Sequence, residues 1–187
     1  MSERVGIVGI GLMGSAISGN LLEAGYEVQG FDIDGKRVDE LVERGGIPAG
    51  SPSAAANGVS WLITSLPTSD IVREVIFGDK GIMESAQDGL ILADATTSRP
   101  EDSERLGSEL AEKGIRFLDA AVSGTSAMAW KKDLIIIAGG DQEDFDACKP
   151  YFDGFSRASY LMGPVGSGAL TKLIINLVLA GNRLALA

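Results

Sequence analysis

Short, unbroken apolar runs alternate along this chain with stretches whose apolar residues recur at helical spacing. Val5-Gly6-Ile7-Val8 is the first such run and predicts a buried strand. Ala16, Ile17, Leu21 and Leu22 follow as one side of a helix that Gly25 stops. Val28 to Phe31 predicts a second strand, ending at Asp32. Asp34 to Arg44 then predicts a helix with Val38, Leu41 and Val42 on one side and Gly45-Gly46 at its exit. Strand, helix, strand, helix at this spacing is a βαβ unit.

The alternation continues. Ser51-Pro52 supplies a cap and then a proline for the first turn of a short alanine-rich helix reaching Asn57-Gly58. Trp61-Leu62-Ile63 predicts a strand, Asp70 to Phe77 a helix, and Leu90 to Ala93 a strand ending at Asp94. Pro100 to Lys113 predicts a helix with acidic residues in its first turn, where they favour the helix dipole. Phe117 to Asp119 and Leu134 to Ala138 predict further strands, and Asp141 to Phe152 a further helix. Strands that are apolar throughout predict a parallel sheet covered on both faces, an α/β doubly wound fold.

From Ala169 to Ala187 the pattern changes. Only Lys172 and Arg183 are charged there, and Leu, Ile, Val and Ala occupy nearly every face. Asn176, Asn182 and the short length argue against a membrane span. A helix apolar all round is buried on several sides. It is expected either to lie in a dimer interface or to begin a further helical region. The expected division is 1–163 for the sheet domain and 164–187 for this helix.

Chemistry enters at Gly9-x-Gly11-x-x-Gly14, which follows a strand and opens a helix, the context a dinucleotide-binding turn needs. Gly9 permits the tight turn, Gly11 makes room for a pyrophosphate, and Gly14 allows close helix–strand packing. Free N–H groups at the helix start suit phosphates. Asp32 stands at the end of the second strand, where a carboxylate can accept both adenosine ribose hydroxyls. A 2′-phosphate would meet that charge with only Lys36 and Arg37 near, so NAD is expected over NADP. These features make the sheet domain Rossmann-type.

Three later segments fall after strands, where a doubly wound sheet binds its ligands. Ser65-Leu66-Pro67 and Asp94-Ala95-Thr96-Thr97 are expected to line the nicotinamide half of the cofactor. Asp119 to Thr125 carries Ser123, Gly124 and Thr125, whose hydroxyls and backbone N–H groups can bind a carboxylate; read alone, the segment is a turn. Gly163-Pro164-Val165-Gly166-Ser167-Gly168 leads into Lys172 and Asn176, four apart and hence on one helix face. A lysine in a nearly uncharged helix either snorkels or serves as an acid/base whose pKa burial lowers.

Composition narrows the chemistry. The chain has no histidine, which excludes Ser-His-Asp, Cys-His and HExxH mechanisms. Its single cysteine, Cys148, allows no internal disulfide or thiolate metal cluster, and no metal site is expected. The 26 acidic against 16 basic residues, a net charge of −10, argue against nucleic acid and anionic membrane as partners. The 25 glycines follow no collagen period, so backbone turns tightly or approaches something closely at many points. The start of the chain resembles neither a signal nor a transit peptide, and a cytoplasmic location is expected.

Together these segments resemble the β-hydroxyacid dehydrogenase family, which includes 3-hydroxyisobutyrate dehydrogenases, tartronate semialdehyde reductases and succinic semialdehyde/glyoxylate reductases. Val8 to Gly14 matches its glycine motif, Asp119 to Thr125 its substrate loop, and Gly163 to Asn176 its Gly-x-x-Gly-x-Gly-x-x-x-Lys-x-x-x-Asn motif. The resemblance implies reversible NAD-linked oxidation of a small 3-hydroxy acid to its semialdehyde or keto form. It implies Lys172 as acid/base, Ser123, Gly124 and Thr125 on the substrate carboxylate, and Asn176 on the substrate. Leu12, Met13, Asp32, Leu66, Pro67 and Thr97 are implied as dinucleotide contacts. Ala121 and Thr125 stand where the family has Pro and Gly, and Met128 and Lys132 where it has glycines. Met128 and Trp130 are therefore expected to reshape the pocket. Family members continue into an all-helical domain that closes the cleft and carries most of the dimer contact. The resemblance thus implies a long interdomain helix cut short, and a homo-dimer or tetramer for the full-length protein. The other readings are a dinucleotide-binding module without turnover, and imine reduction, whose enzymes on the related fold lack a lysine at position 172.

Overall fold

Helix and strand alternate as the apolar pattern requires. The computed structural model describes residues 3–186; Met1, Ser2 and Ala187, which fall within the expected segments 1–163 and 164–187, lie outside the described residues. The first βαβ unit is β1 (Arg4–Val8), α1 (Leu12–Glu23) and β2 (Glu27–Phe31). After it come α2 (Gly35–Glu43), β3 (Ile47–Pro48), α3 (Pro52–Ala56), β4 (Trp61–Thr64), α4 (Ser69–Phe77), β5 (Ile91–Asp94) and α5 (Pro100–Ala111). The rest is β6 (Arg116–Ser123), α6 (Ser126–Ala129), β7 (Leu134–Gly139), α7 (Gln142–Phe155), β8 (Ser156–Leu161) and α8 (Ser167–Ala185). Local chemistry sets several starts: the side chains of Asp34, Ser51 and Thr68 accept backbone N–H groups at the first turns of α2, α3 and α4.

One eight-stranded sheet runs β3-β2-β1-β4-β5-β6-β7-β8. Successive strand residues feed opposite helical layers. Val5, Ile7, Trp61 and Ile63 pack with Ile17 and Leu21 of α1 and Phe152 of α7. Val8, Leu62 and Leu92 pack with Ile76 of α4 and Leu110 of α5. Burial on both faces is why these strands read as apolar throughout.

Three expectations need correction. The sheet is not wholly parallel, because β6 and β7 pair antiparallel, Asp119 with Gly139 and Ser123 with Ile135. An apolar run carries no information on strand direction, and the short link between these two suits the antiparallel choice. The segment from Asp119, read alone as a turn, is strand as far as Ser123. Helix α7 does not stop at Phe152; it runs through Pro150 to Phe155, with Tyr151, Phe152 and Phe155 all buried. Burial of those rings outweighs the cost of about 3 kcal/mol that an interior proline imposes.

The register aligns Phe31, Val8, Thr64, Asp94, Asp119 and Gly139 in one row across six strands. The parallel strands β1, β2, β4 and β5 end at this row. β6, β7 and β8 continue beyond it, β8 pairing with β7 along the same stretch, and together form an arm tipped by Ser123. Among the described residues no helix is long and apolar enough to cross a membrane.

Candidate active site

The glycine turn lies just past the row. Gly9 takes φ +92° and its N–H donates to the Phe31 carbonyl at 2.9 Å, a conformation that favours glycine. A Cβ on Gly14 would collide with the Gly9 carbonyl, so α1 can start this close to β1 only without a side chain there. Gly11, by contrast, has nothing within 4 Å of where its Cβ would stand. It precedes α1 and makes no side-chain cap, leaving the N–H groups of the first turn to a ligand. Asp32 closes the turn: its Oδ2 accepts from the Ile10 N–H at 2.6 Å and its Oδ1 from the Asp34 N–H at 2.9 Å.

Gly9, Gly11, Leu12, Met13, Asp32, Leu66 and Pro67 all line one cleft of about 400 Å³, with Ile33, Ile71 and Val75 completing its apolar walls. Ile33 is 96% exposed beside Asp32, an apolar side chain presented to whatever enters. Gly14 lies beneath the turn rather than on the cleft. Thr97 lines a neighbouring cavity of about 560 Å³ that shares Pro67 and is also lined by Leu173 of α8. The donor set fits a dinucleotide: free helix-start N–H groups, an open glycine, apolar walls and a carboxylate at the β2 end.

Sequence reasoning missed what holds the Leu66-Pro67 and Thr97 loops. Asp94 is wholly buried at the end of β5. Its Oδ1 accepts from the Thr64 hydroxyl at 2.8 Å and from the Thr96 N–H at 3.0 Å. The Thr96 hydroxyl in turn accepts from the Leu66 N–H at 3.1 Å, tying the two loops together. Burial pushes the Asp94 carboxyl above its ordinary pKa, and the hydrogen bonds from Thr96 and Thr64 pull against that.

Ser123, Gly124 and Thr125 sit at the tip of the arm and line neither cavity. Gly124 takes φ +143°, and a Cβ there would stand 2.7 Å from a Leu134 methyl. The Thr125 hydroxyl oxygen accepts from the Met128 N–H at 3.3 Å, capping α6. Trp130 does not face this site. It packs over Gly19 of α1, with the Arg44 guanidinium 4.8 Å from its ring centre, so its expected effect on the pocket is corrected. The Asn20 side-chain amide donates to the Ala129 carbonyl at 2.7 Å and fixes α6 there.

Lys172 is half-buried on α8, and burial lowers its pKa. Asn176, one turn later, is exposed. The start of α8 is held by Asp119, a contact that sequence reasoning missed. Its Oδ1 accepts from the Gly166 N–H at 2.8 Å and its Oδ2 from the Ala169 N–H at 2.6 Å. Burial pushes this carboxyl up to about 6, against the pull of those two hydrogen bonds. Cys148 is buried, and desolvation pushes its thiol up to about 12, which makes it inert as a nucleophile.

Comparison with known proteins matches residues 4–163 to the NAD binding domain of 6-phosphogluconate dehydrogenase. The chain belongs to that family. Within it, the chain is 37% identical over 148 residues to an uncharacterized oxidoreductase of Shewanella frigidimarina, covering 79% of this chain and 51% of that protein. It is 33% identical over 139 residues to the 3-sulfolactaldehyde reductase of Escherichia coli, covering 74% of this chain and 47% of that one. A Mycobacterium tuberculosis 3-hydroxyisobutyrate dehydrogenase structure with L-serine superposes at a TM-score of 0.94 and 27% identity, covering 99% of this chain and 62% of that chain. The chain therefore spans about half to two-thirds of the length of these relatives. It carries their NAD-binding, Rossmann-type domain, and the β-hydroxyacid dehydrogenase resemblance holds.

Proposed function

We propose that this chain carries the cofactor site and the proton donor of an NAD-dependent oxidoreductase that interconverts a small 3-hydroxy acid and its semialdehyde or keto acid. The observation that carries the reading is the placement of Lys172. It is a half-buried lysine of lowered pKa on α8, one residue before Leu173, which lines the cavity bounded by Pro67 and Thr97. With no histidine in the chain, a lysine shifted toward neutrality is the natural acid/base. NAD, when bound, supplies hydride acceptance or donation at its nicotinamide ring.

The protein's residues do the rest. Gly9, Gly11, Leu12, Met13 and Asp32 bind the dinucleotide, with Gly14 supporting the turn from beneath, and Leu66, Pro67 and Thr97 set its nicotinamide end. Ser123, Gly124 and Thr125 hold the substrate carboxylate, and Asn176 steadies the substrate from α8. Lys172 takes the hydroxyl proton during oxidation and returns it during reduction. L-serine in the mycobacterial structure is itself a 3-hydroxy acid, which supports the substrate class. Asp32 supports NAD over NADP.

In Lys172→Ala, NADH binding by fluorescence titration should stay nearly unchanged while turnover falls by roughly 10²–10⁴. Glycerate, 3-hydroxyisobutyrate, threonate, 3-hydroxypropionate and 4-hydroxybutyrate form the oxidation panel, with tartronate semialdehyde for reduction. Retained turnover in the variant would refute the role. A second reading, a dinucleotide-binding module without turnover by itself, is favoured by the exposed apolar face of α8, where Leu177 and Leu184 are 74% and 81% exposed. Tight NADH binding with no turnover of any panel member selects it.

A further inference from the structure

We propose that Asp119 is a positioning residue for Lys172: by gripping the first turn of α8 with both carboxylate oxygens, it sets where the lysine stands relative to the Ser123 arm. The proposal rests on the role of Lys172 given above. Of the two buried carboxylates at the strand-end row, Asp94 is held by threonines of the adjoining strands and loop. Asp119 instead gives both oxygens to a single helix, at Gly166 and Ala169.

Geometry makes this a link between two halves of the site. Ser123 lies four residues along the same strand, about 13 Å at the rise of an extended chain. Lys172 lies three residues beyond Ala169, about 4.5 Å along the helix axis. Asp119 thus joins the substrate loop to the lysine through one strand and one helical turn, with no flexible loop between.

The surroundings are cut away to permit the grip. A Cβ on Gly139 would stand 2.5 Å from Asp119 Oδ1. One on Gly168 would stand 2.8 Å from Oδ2 and 2.7 Å from the Asp119 carbonyl. Glycine at both positions lets the helix start descend onto the strand.

Energetics separate this role from a merely structural one. Burial favours the neutral form of Asp119, so its charge is a net cost to the fold at neutral pH. A Ser or Asn cap would satisfy a helix start without that cost. Asp94 on β5 faces Asp119 and raises its pKa further. The strand on the other side presents Gly139, and α5 brings Glu104 against Gly166. Lys172 is one helical turn away on α8. The charge is retained for a two-oxygen hold that a neutral side chain cannot make.

The test uses Asp119→Asn with Asp119→Ala beside it. Asparagine can still accept from Gly166 but turns an NH₂ toward the Ala169 N–H. Amide exchange at Ala169 should quicken at least tenfold, and Lys172, followed by NMR of ¹³C-methylated lysines, should titrate nearer the ordinary ~10.4. The dissociation constant for NADH should stay within twofold. With tartronate semialdehyde as the probe, kcat should fall tenfold or more and KM much less. Unchanged Ala169 exchange and unchanged Lys172 titration in both variants would overturn the proposal. Should neither variant fold, the unmodified protein decides: Ala169 protection, corrected for intrinsic rates, should rise as pH drops through about 6, because the proton is held more tightly when Asp119 is packed against the helix start, and constant protection would overturn the proposal. If the unmodified protein turns over no substrate, the proposed activity fails, while exchange and Lys172 titration still judge the grip.

Discussion

At the residue scale, Asp32 shapes the glycine turn and, in the function proposed above, selects the cofactor, two tasks whose consequences can be separated. Its oxygens accept the Ile10 and Asp34 N–H groups, which shapes the glycine turn, and their remaining lone pairs face the cleft. A 2′-phosphate would meet the charge directly. NADH is expected to bind at least tenfold more tightly than NADPH in a fluorescence titration, and Asp32→Ser should shrink the ratio by weakening NADH and relieving NADPH. Equal affinities in the unmodified protein would remove the assignment. Asp32 was legible because its spacing from the glycine motif is set by one helix and one strand. Asp94 and Asp119 were not, since a polar residue at a strand end reads as punctuation. What distinguishes them is burial against residues far along the chain: Thr64 for Asp94, and Gly166 and Ala169 for Asp119. Trp130 misled for the same reason, because its contacts with Gly19 and Arg44 are invisible in the local sequence.

At the element scale, the central strands and the helices between them were legible because burial on both faces leaves unbroken apolar runs. Strand β8 was not. Its sequence SRASYL lies at the sheet edge with partly exposed side chains, and it carries no such run. The two-residue β3, on the opposite edge, is too short to give any pattern. Helix α8 was read as covered by a dimer partner or a further helical region, and in the single chain it exposes Leu177, Val178, Leu179 and Leu184 beyond its first turn, among the described residues. Exposed side chains contribute little to folding, while a contiguous apolar face promotes association. Leu177→Gln combined with Leu184→Gln should therefore leave the melting temperature nearly unchanged and shift sedimentation at micromolar concentration toward monomer. A drop of ~4–8 °C, the equivalent of about 1 kcal/mol in a small domain, would show that these side chains support the fold.

At the scale of the whole molecule, the buried carboxylates govern how stability responds to acid. Folded Asp119 has its pKa raised from 3.8 to about 6, and Asp94 is raised in the same direction. An acid that holds its proton more tightly when folded adds stability as pH falls through that window, and loses it as pH rises to about 6 and beyond. Urea unfolding should accordingly give a higher free energy at pH 5 than at pH 7.5, by on the order of 1 kcal/mol from Asp119 alone. In Asp119→Asn that increment should disappear. Stability that is flat or falling toward pH 5 would contradict the assignment.

The reversal between β6 and β7 bears on how such a chain can diverge. The cofactor cleft is written in the segments around Gly9, Asp32 and Leu66, all at or near the strand-end row. The arm rises past that row on the antiparallel β6–β7 ladder, flanked by β8 and anchored where Asp119 pairs with Gly139. Thr125 and Met128, just past its tip, lie outside the cleft that Gly9 and Asp32 line, so they can vary with the glycine turn and its carboxylate in place. If the arm holds the substrate as proposed, recognition there can drift while the coenzyme site stays unaltered.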